Sequence, residues 1–140
     1  MVSDDQIRQA LLQSEVIACV GASANPARPS HYVSQFLTTK GKRVIGVNPG
    51  LAGQELFGAP VYGRLSDIPA EEAVTMIDIF RRPEQILPIV EEAIAALPAL
   101  KVVWMQLGIE NAEAAALAQG KGLTVVQNRC PKIEWPRLIG

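Results

Sequence analysis

The sequence predicts an α/β domain, a mostly parallel five-stranded sheet with helices on both faces. Three observations lead there. Short continuous apolar runs rich in β-branched residues recur along the chain: VIACV, RVIGVN, VTMIDIF, KVVWMQ and LTVVQ. Unbroken runs of this kind, rather than alternating ones, mark strands covered on both faces. Segments of helical character separate them, and strand–helix alternation builds a parallel sheet between two helical layers. With 140 residues, 49% of them apolar and 19% charged, the chain suffices for one core and not for two ordinary domains, so residues 1–140 read as a single domain.

The elements follow in order. Ser3 and Gln6 are spaced as a capping box, and Ile7, Ala10 and Leu11 fall on one face of the helix it opens. VIACV is the first strand. After a loop, YVSQFLTTKG reads as a helix capped at its start by Ser30 and closed by Gly41, and RVIGVN as the second strand. The Gly- and Pro-rich passage 50–63 is expected to be irregular and exposed. VTMIDIF is the third strand. Pro88 suits only a first helical turn, which predicts a separate turn followed by a main helix over 88–97. KVVWMQ is the fourth strand, Asn111 caps a helix ended by Gly120, and LTVVQ is the fifth strand. The tail NRCPKIEWPRLIG is expected to be a loop wrapped over the body. Right-handed crossovers make the sheet doubly wound, with strand order 3-2-1-4-5 expected ahead of 2-1-3-4-5.

Composition narrows function. The net charge of −1 leaves no broad footprint for nucleic acid. The N-terminus MVSDDQIRQA is too polar for a signal peptide, and no apolar run approaches the ~20 residues that span a bilayer. Two cysteines, Cys19 and Cys130, make no disulfide framework, and a soluble cytoplasmic protein with reduced thiols is expected.

Ligands of doubly wound sheets bind beyond the carboxyl ends of the strands. Candidates therefore come from the loops 21–30, 48–51, 80–83, 106–110 and 128–132. The first follows a strand with VGASANPARPS. Aligned on Gly21, the dinucleotide fingerprint G-x-G-x-x-G meets Ser23 and Pro26 where it needs glycines, and Asn48-Pro49 replaces the acidic residue that holds a ribose hydroxyl. Ordinary NAD binding is disfavoured, and no phosphate loop of the G-x-x-x-x-G-K-[ST] type exists. The loop still suits a phosphate. Gly21, Ala22, Ser23 and Ala24 are small enough for close backbone approach, Ser30 sits at a helix start, and Arg28, Lys42, Arg43, Arg81 and Arg82 supply positive charge. Arg81 and Arg82 are well placed at a carboxyl end, and Arg28 lies in the first loop; Lys42 and Arg43 precede their strand. The clustering at strand ends favours Arg28 and Arg81 as ligand contacts.

Taken together, VGASANPARPS, VIGVNPG, IDIFRRPE, VWMQLGIEN and QNRCPKIEW resemble the stand-alone CoA-binding domain family, which is similar to the N-terminal domain of the succinyl-CoA synthetase alpha subunit. The resemblance covers residues 15–138. It implies a Rossmann-like fold and coenzyme A as the ligand. By motif, Gly21, Ala22, Ser23 and Ala24 would line the CoA diphosphate. Asn48 and Pro49 would border the nucleotide, with Lys42 or Arg43 as a phosphate contact. Ile79, Phe80 and Arg81 would wall the adenine, and Gln106, Gly108, Cys130 and Pro131 would lie nearer the pantetheine arm. The synthetase's catalytic histidine belongs to a second domain, and the one histidine here, His31, does not match it, so the resemblance implies CoA binding without ligase chemistry.

Other residues have plainer readings beside sharper ones. His31 is an acid–base candidate or a residue of a first helical turn. Cys19 is core packing. Cys130 is a half-buried structural thiol or a redox-active one that could pair with the CoA thiol. Asp78 has a structural partner or reaches the site. Trp104 packs in the core and Trp135 under a lid. No zinc, serine-hydrolase or thioredoxin-like motif occurs. The expectation is a non-catalytic module that binds CoA or acyl-CoA in a carrier, sequestering or regulatory role. The alternatives are a CoA-binding component completed by a ligase or transferase partner and, further off, an NAD(P)-binding redox protein; a homodimer is left open.

Overall fold

The structure is a computed structural model and describes residues 2–140. Ser3 caps α1 (Asp4–Gln13) with both hydrogen bonds of the capping box, and Ile7, Ala10 and Leu11 turn inward. The chain then alternates as anticipated through β1 (Val16–Val20), α2 (Pro29–Thr39) and β2 (Arg43–Val47). A two-stranded hairpin, β3 (Glu55–Leu56) and β4 (Ala59–Pro60), follows, and then β5 (Met76–Ile79), α3 (Ile86–Ala96), β6 (Val102–Met105), α4 (Ala112–Gly120), β7 (Thr124–Val126) and α5 (Pro131–Leu138).

β1, β2, β5, β6 and β7 form one wholly parallel sheet in the order β2-β1-β5-β6-β7. This is 2-1-3-4-5, not the 3-2-1-4-5 order expected first. The cause lies in the chain after β2. It folds back along the outer edge of that strand, where Tyr62 N–H donates to the Gly46 carbonyl and Asn48 N–H to the Tyr62 carbonyl, 3.0 and 2.9 Å. That edge is thereby occupied, and β5 pairs on the free side of β1.

Alternate strand residues feed two apolar layers. Ala18, Val20, Ile77, Ile79, Val103 and Met105 pack under α3 and α4. Ile17, Cys19, Val44, Met76 and Trp104 pack under α1, α2 and α5. No helix among the described residues is long and apolar enough to cross a membrane.

Two segments depart from expectation. The passage 50–63 is not simply irregular and exposed. It holds the β3–β4 hairpin, and Ala59 and Val61 are buried. The hairpin turns through Phe57 and Gly58, both at positive φ (57° and 79°), the geometry of a two-residue primed turn. Asn or Asp is usual at the first turn position; Phe57 hides the signal because it is placed by packing, its ring 5.2 Å from that of His31. The tail is a helix, not a loop. Pro131 occupies the first helical position, where its missing N–H costs nothing, and Pro136 forfeits one hydrogen bond inside. Burial of Trp135 and a bidentate Arg137–Asp4 pair (3.0 and 2.8 Å) hold α5 against α1. The first turn foreseen around Pro88 is a 3-10 turn at Pro83–Gln85, and α3 starts two residues before that proline.

Truncating Trp135 to alanine should therefore cost about 3 kcal/mol in urea denaturation, whereas Ile133→Ala, on the exposed side of α5, should stay within about 0.5 kcal/mol of the parent.

Candidate functional site

At the reversal of strand order, between β1 and β5, the carboxyl ends of the strands open a cleft of about 1460 Å³. Gly21 leaves β1 with φ +92°, and a side chain there would put its Cβ 2.5 Å from the Phe80 carbonyl oxygen. Only glycine lets the loop pass across the end of β5 at this distance. The loop is tied on its other flank as well. Gly21 and Ala22 donate to the Val47 carbonyl (2.9 and 3.3 Å), and Asn48 Nδ2 donates to the Ala22 carbonyl at 2.8 Å. Asn48 Oδ1 meanwhile accepts from Gly50 N–H at 2.9 Å.

Within the loop, Ser23 Oγ accepts from Asn25 N–H (3.1 Å) and Asn25 Oδ1 from Ala27 N–H (3.0 Å). His31 Nδ1 lies 2.8 Å from the Ser23 carbonyl, so that nitrogen carries the proton. Three N–H groups then donate to no protein acceptor among the described residues, those of Ser23, Ala24 and Ser30. They belong to the loop and to the first turn of α2. Arg28, not Ser30, is the N-cap of α2, and it makes no side-chain capping bond. Pro29 takes the first helical position and Ser30 the buried second one.

Most of the anticipated residues converge here. Gly21, Ala22, Ser23, Ala24, Arg28, Ser30, Asn48, Phe80, Arg81, Gln106 and Cys130 all line the cleft. Pro49 opens the 3-10 turn beside Asn48. Ile79 is buried in the opposite apolar layer. Gly108 forms a turn at φ +81°, its N–H donating to Asn128 Oδ1 at 2.6 Å, and Pro131 starts α5. Lys42 precedes β2, at the other end of the sheet. Its Nζ donates to the Leu12 carbonyl (3.2 Å) and lies 5.6 Å from the Trp135 ring, and burial lowers its pKa. Arg43 is likewise engaged, in a bidentate pair with Glu72.

Arg82, expected as a source of positive charge, lines the cleft too, and so do Tyr32, Gln85, Lys132 and Ile133, to which the sequence assigned no binding role. Tyr32 and Ile133 lie one residue or more inside helices, where a loop-based search does not look. Charge is one-sided. Arg28, Arg81, Arg82 and Lys132 face the cleft without an ion-pair partner, and no carboxylate lines it among the described residues.

Below the floor, Asp78 is 1% exposed, and neither of its oxygens has a hydrogen-bond partner among the described residues. Burial raises its pKa well above the ordinary carboxylate range. It sits opposite Cys19 in the β1–β5 register. Burial, then the neighbouring Asp78, pushes the Cys19 thiol far up, which makes it inert. Cys130 is the N-cap of α5, with its thiol making no capping bond. Trp104 is buried, and its Nε1 donates to the Arg129 carbonyl at 2.8 Å, holding the approach to α5 beside β6.

Comparison with known proteins agrees with this geometry. The model of the CoA binding domain family matches residues 15–136. The chain belongs to the CoA-binding domain family. A family relative, YneT of Bacillus subtilis (strain 168), is 34% identical over 131 residues, 94% of this chain and 93% of that one. A protein of Thermus thermophilus, solved as cell-free ID.343, is 36% identical with a TM-score of 0.90, covering 99% of this chain and 100% of its own. A hypothetical protein of Pyrococcus horikoshii OT3 is 37% identical with a TM-score of 0.89, over 99% and 94% of the two chains. The CoA-binding domain fold also recurs in the dinucleotide-forming acetyl-coenzyme A synthetase 1 of Ca. Korarchaeum cryptofilum (24% identity, TM-score 0.68). There it matches 86% of this chain but 27% of that one, a likeness of fold.

Two outcomes are expected. Gly21→Ala should lose at least about 2 kcal/mol in denaturant titration, since it strains φ and collides with Phe80. Asp78 binds its proton more tightly folded than unfolded, so wild-type stability should fall as pH rises above the unfolded carboxylate range and continue to fall until the folded carboxyl ionises. In Asp78→Asn, urea midpoints between pH 4 and 8 should lose that slope.

Proposed function

We propose that this protein binds coenzyme A or an acyl-CoA as a module without turnover of its own, serving as a carrier, a sequestering protein or a sensor. One observation carries the reading. The cleft of a CoA-binding domain chain offers three free N–H donors and four unpaired cations, and no carboxylate among the described residues.

CoA concentrates its charge in one half, as a diphosphate and a ribose 3′-phosphate. The Ser23, Ala24 and Ser30 N–H groups take the diphosphate, and the small side chains of Gly21 and Ala22 allow the approach. Arg28 and Arg81 pair with phosphate oxygens through charge-assisted hydrogen bonds. Asn48 and Phe80 border the nucleotide, with Pro49 and Ile79 as their chain neighbours. Gln106 and Cys130 border the pantetheine arm, with Gly108 and Pro131 shaping their loops. Lys42 stays at the far end of the sheet. A nicotinamide dinucleotide fits less well, because Asn48 and Pro49 stand where a carboxylate would hold the ribose.

The absence of turnover rests on the lining. Among the described residues it contains no histidine and no carboxylate, and His31 is committed to the Ser23 carbonyl. A partner subunit that completes a ligase or transferase remains the second reading, favoured by the shared fold with the synthetase domain. Both readings place the chain in the cytoplasm, where thiols such as Cys19 and Cys130 stay reduced.

Titration calorimetry with CoA, NAD and NADP tests this. CoA should bind most tightly, and Arg28→Ala and Arg81→Ala should each weaken it about tenfold. NAD binding tighter than CoA, or hydrolysis of an acyl-CoA by the purified chain, would refute the corresponding half of the proposal.

A further inference from the structure

We infer that the β6–α5 end of the cleft is an acyl-group site, and that the ligand class is a CoA thioester carrying an uncharged aliphatic chain. This rests on the CoA reading and goes beyond it by choosing between the free thiol and its esters.

Four large hydrophobic side chains are exposed among the described residues, and three of them line this one cleft: Leu107 (57% exposed), Ile133 (52%) and Tyr32 (41%). They come from three separate elements, the loop after β6 and the first turns of α5 and α2. Lys132 Nζ lies 5.2 Å from the Tyr32 ring centroid, so the first turns of α2 and α5 stand side by side. Isolated exposed hydrophobics need no explanation; three converging on the mouth of one cleft do.

Charge complementarity sets the direction of the ligand. Arg28, Arg81 and Arg82 gather around the loop after β1 and the end of β5, and all CoA phosphates lie in its nucleotide half. The uncharged arm must leave toward β6 and α5. Gln106 stands on that path, 5% exposed, with Oε1 unpartnered among the described residues. It is an acceptor suited to an amide N–H, and the arm contains two amides. Beyond it, the next surfaces are Leu107 and Ile133. A thiol ending there would leave these side chains wet; an aliphatic acyl group would cover them. The one cation at this end, Lys132, rests over the Tyr32 ring, and a terminal acyl carboxylate would have to draw it off that ring and leave the aliphatic rim uncovered.

Calorimetry with CoA, hexanoyl-CoA and succinyl-CoA on the full chain decides the matter. Hexanoyl-CoA should bind at least about tenfold more tightly than CoA, and succinyl-CoA no more tightly than CoA. In the Leu107→Ser, Ile133→Ser double variant the ratio of hexanoyl-CoA to CoA affinity should fall to about one; both side chains are exposed, so the fold is retained, which circular dichroism verifies. Equal affinities for CoA and hexanoyl-CoA in the wild type would overturn the inference and leave the CoA reading standing. So would a tighter succinyl-CoA complex. No binding of any of the three overturns the CoA reading itself. A wild-type dimer by light scattering that the double variant abolishes, with the affinity ratio unchanged, would reassign the rim to contact between copies.

Discussion

The approach of Gly21 to the Phe80 carbonyl is the constraint on which the site depends. A parallel sheet that reverses its strand order leaves a gap where neighbouring connections run to opposite sides. Here the loop leaving β1 crosses the end of β5 with no room for a Cβ. The same approach brings the Arg81 Nε within 3.3 Å of where a Gly21 side chain would start, and Ser23, Ala24 and Ser30 line the same cleft as Arg81. A loop raised by one methyl group would move Gly21 away from Phe80 and Arg81. The fold-back over β2 is linked to the same loop, since Tyr62 holds Asn48 through its backbone and Asn48 Nδ2 holds the Ala22 carbonyl.

The cleft has an electrostatic division that its walls alone do not reveal. Three of the four cations, Arg28, Arg81 and Arg82, surround the portion near β1 and β5, while Leu107, Ile133 and Tyr32, with Lys132 over the Tyr32 ring, surround the portion near β6 and α5. Asp78 fits this division although it lies below the floor. Burial raises its pKa and so favours the neutral carboxyl, which lessens the negative charge the sheet under the loop would set against an anion above it. The cost of desolvating a carboxylate there would exceed what any visible partner could return, since neither oxygen has one.

The sequence was legible where local chemistry and long-range packing agree. Continuous apolar runs located all five strands of the parallel sheet, because burial on both faces leaves no alternation to misread. Ser3 and Asn111 announced their helices through caps that the structure forms. The loop positions around Gly21, Asn48, Arg81 and Gln106 were legible because their strands end there. What escaped depends on distant contacts. Strand order turned on a fold-back over β2 whose partners are 14 or more residues apart. The tail looked like a loop because two prolines outweighed the burial of Trp135 that makes it a helix. Phe57 concealed a hairpin turn that an asparagine would have advertised. Lys42 was attractive by charge alone, and its position before the strand sends it to the other end of the sheet.

The hairpin has an effect at a distance through a chain of two contacts and one peptide plane. Phe57 packs against the His31 ring, and His31 Nδ1 holds the Ser23 carbonyl. In a planar trans peptide the carbonyl of one residue and the N–H of the next point in opposite directions. Fixing the Ser23 carbonyl toward His31 therefore aims the Ala24 N–H away from it. A peptide rotation at 23–24 would exchange a donor for an acceptor in the loop, and the hydrogen bond from a His31 ring packed at a tilt against Phe57 opposes it. The small β3–β4 hairpin thus acts as a latch on one peptide plane, and substitutions at Phe57 would change the polarity a ligand meets without touching any residue that lines the cleft.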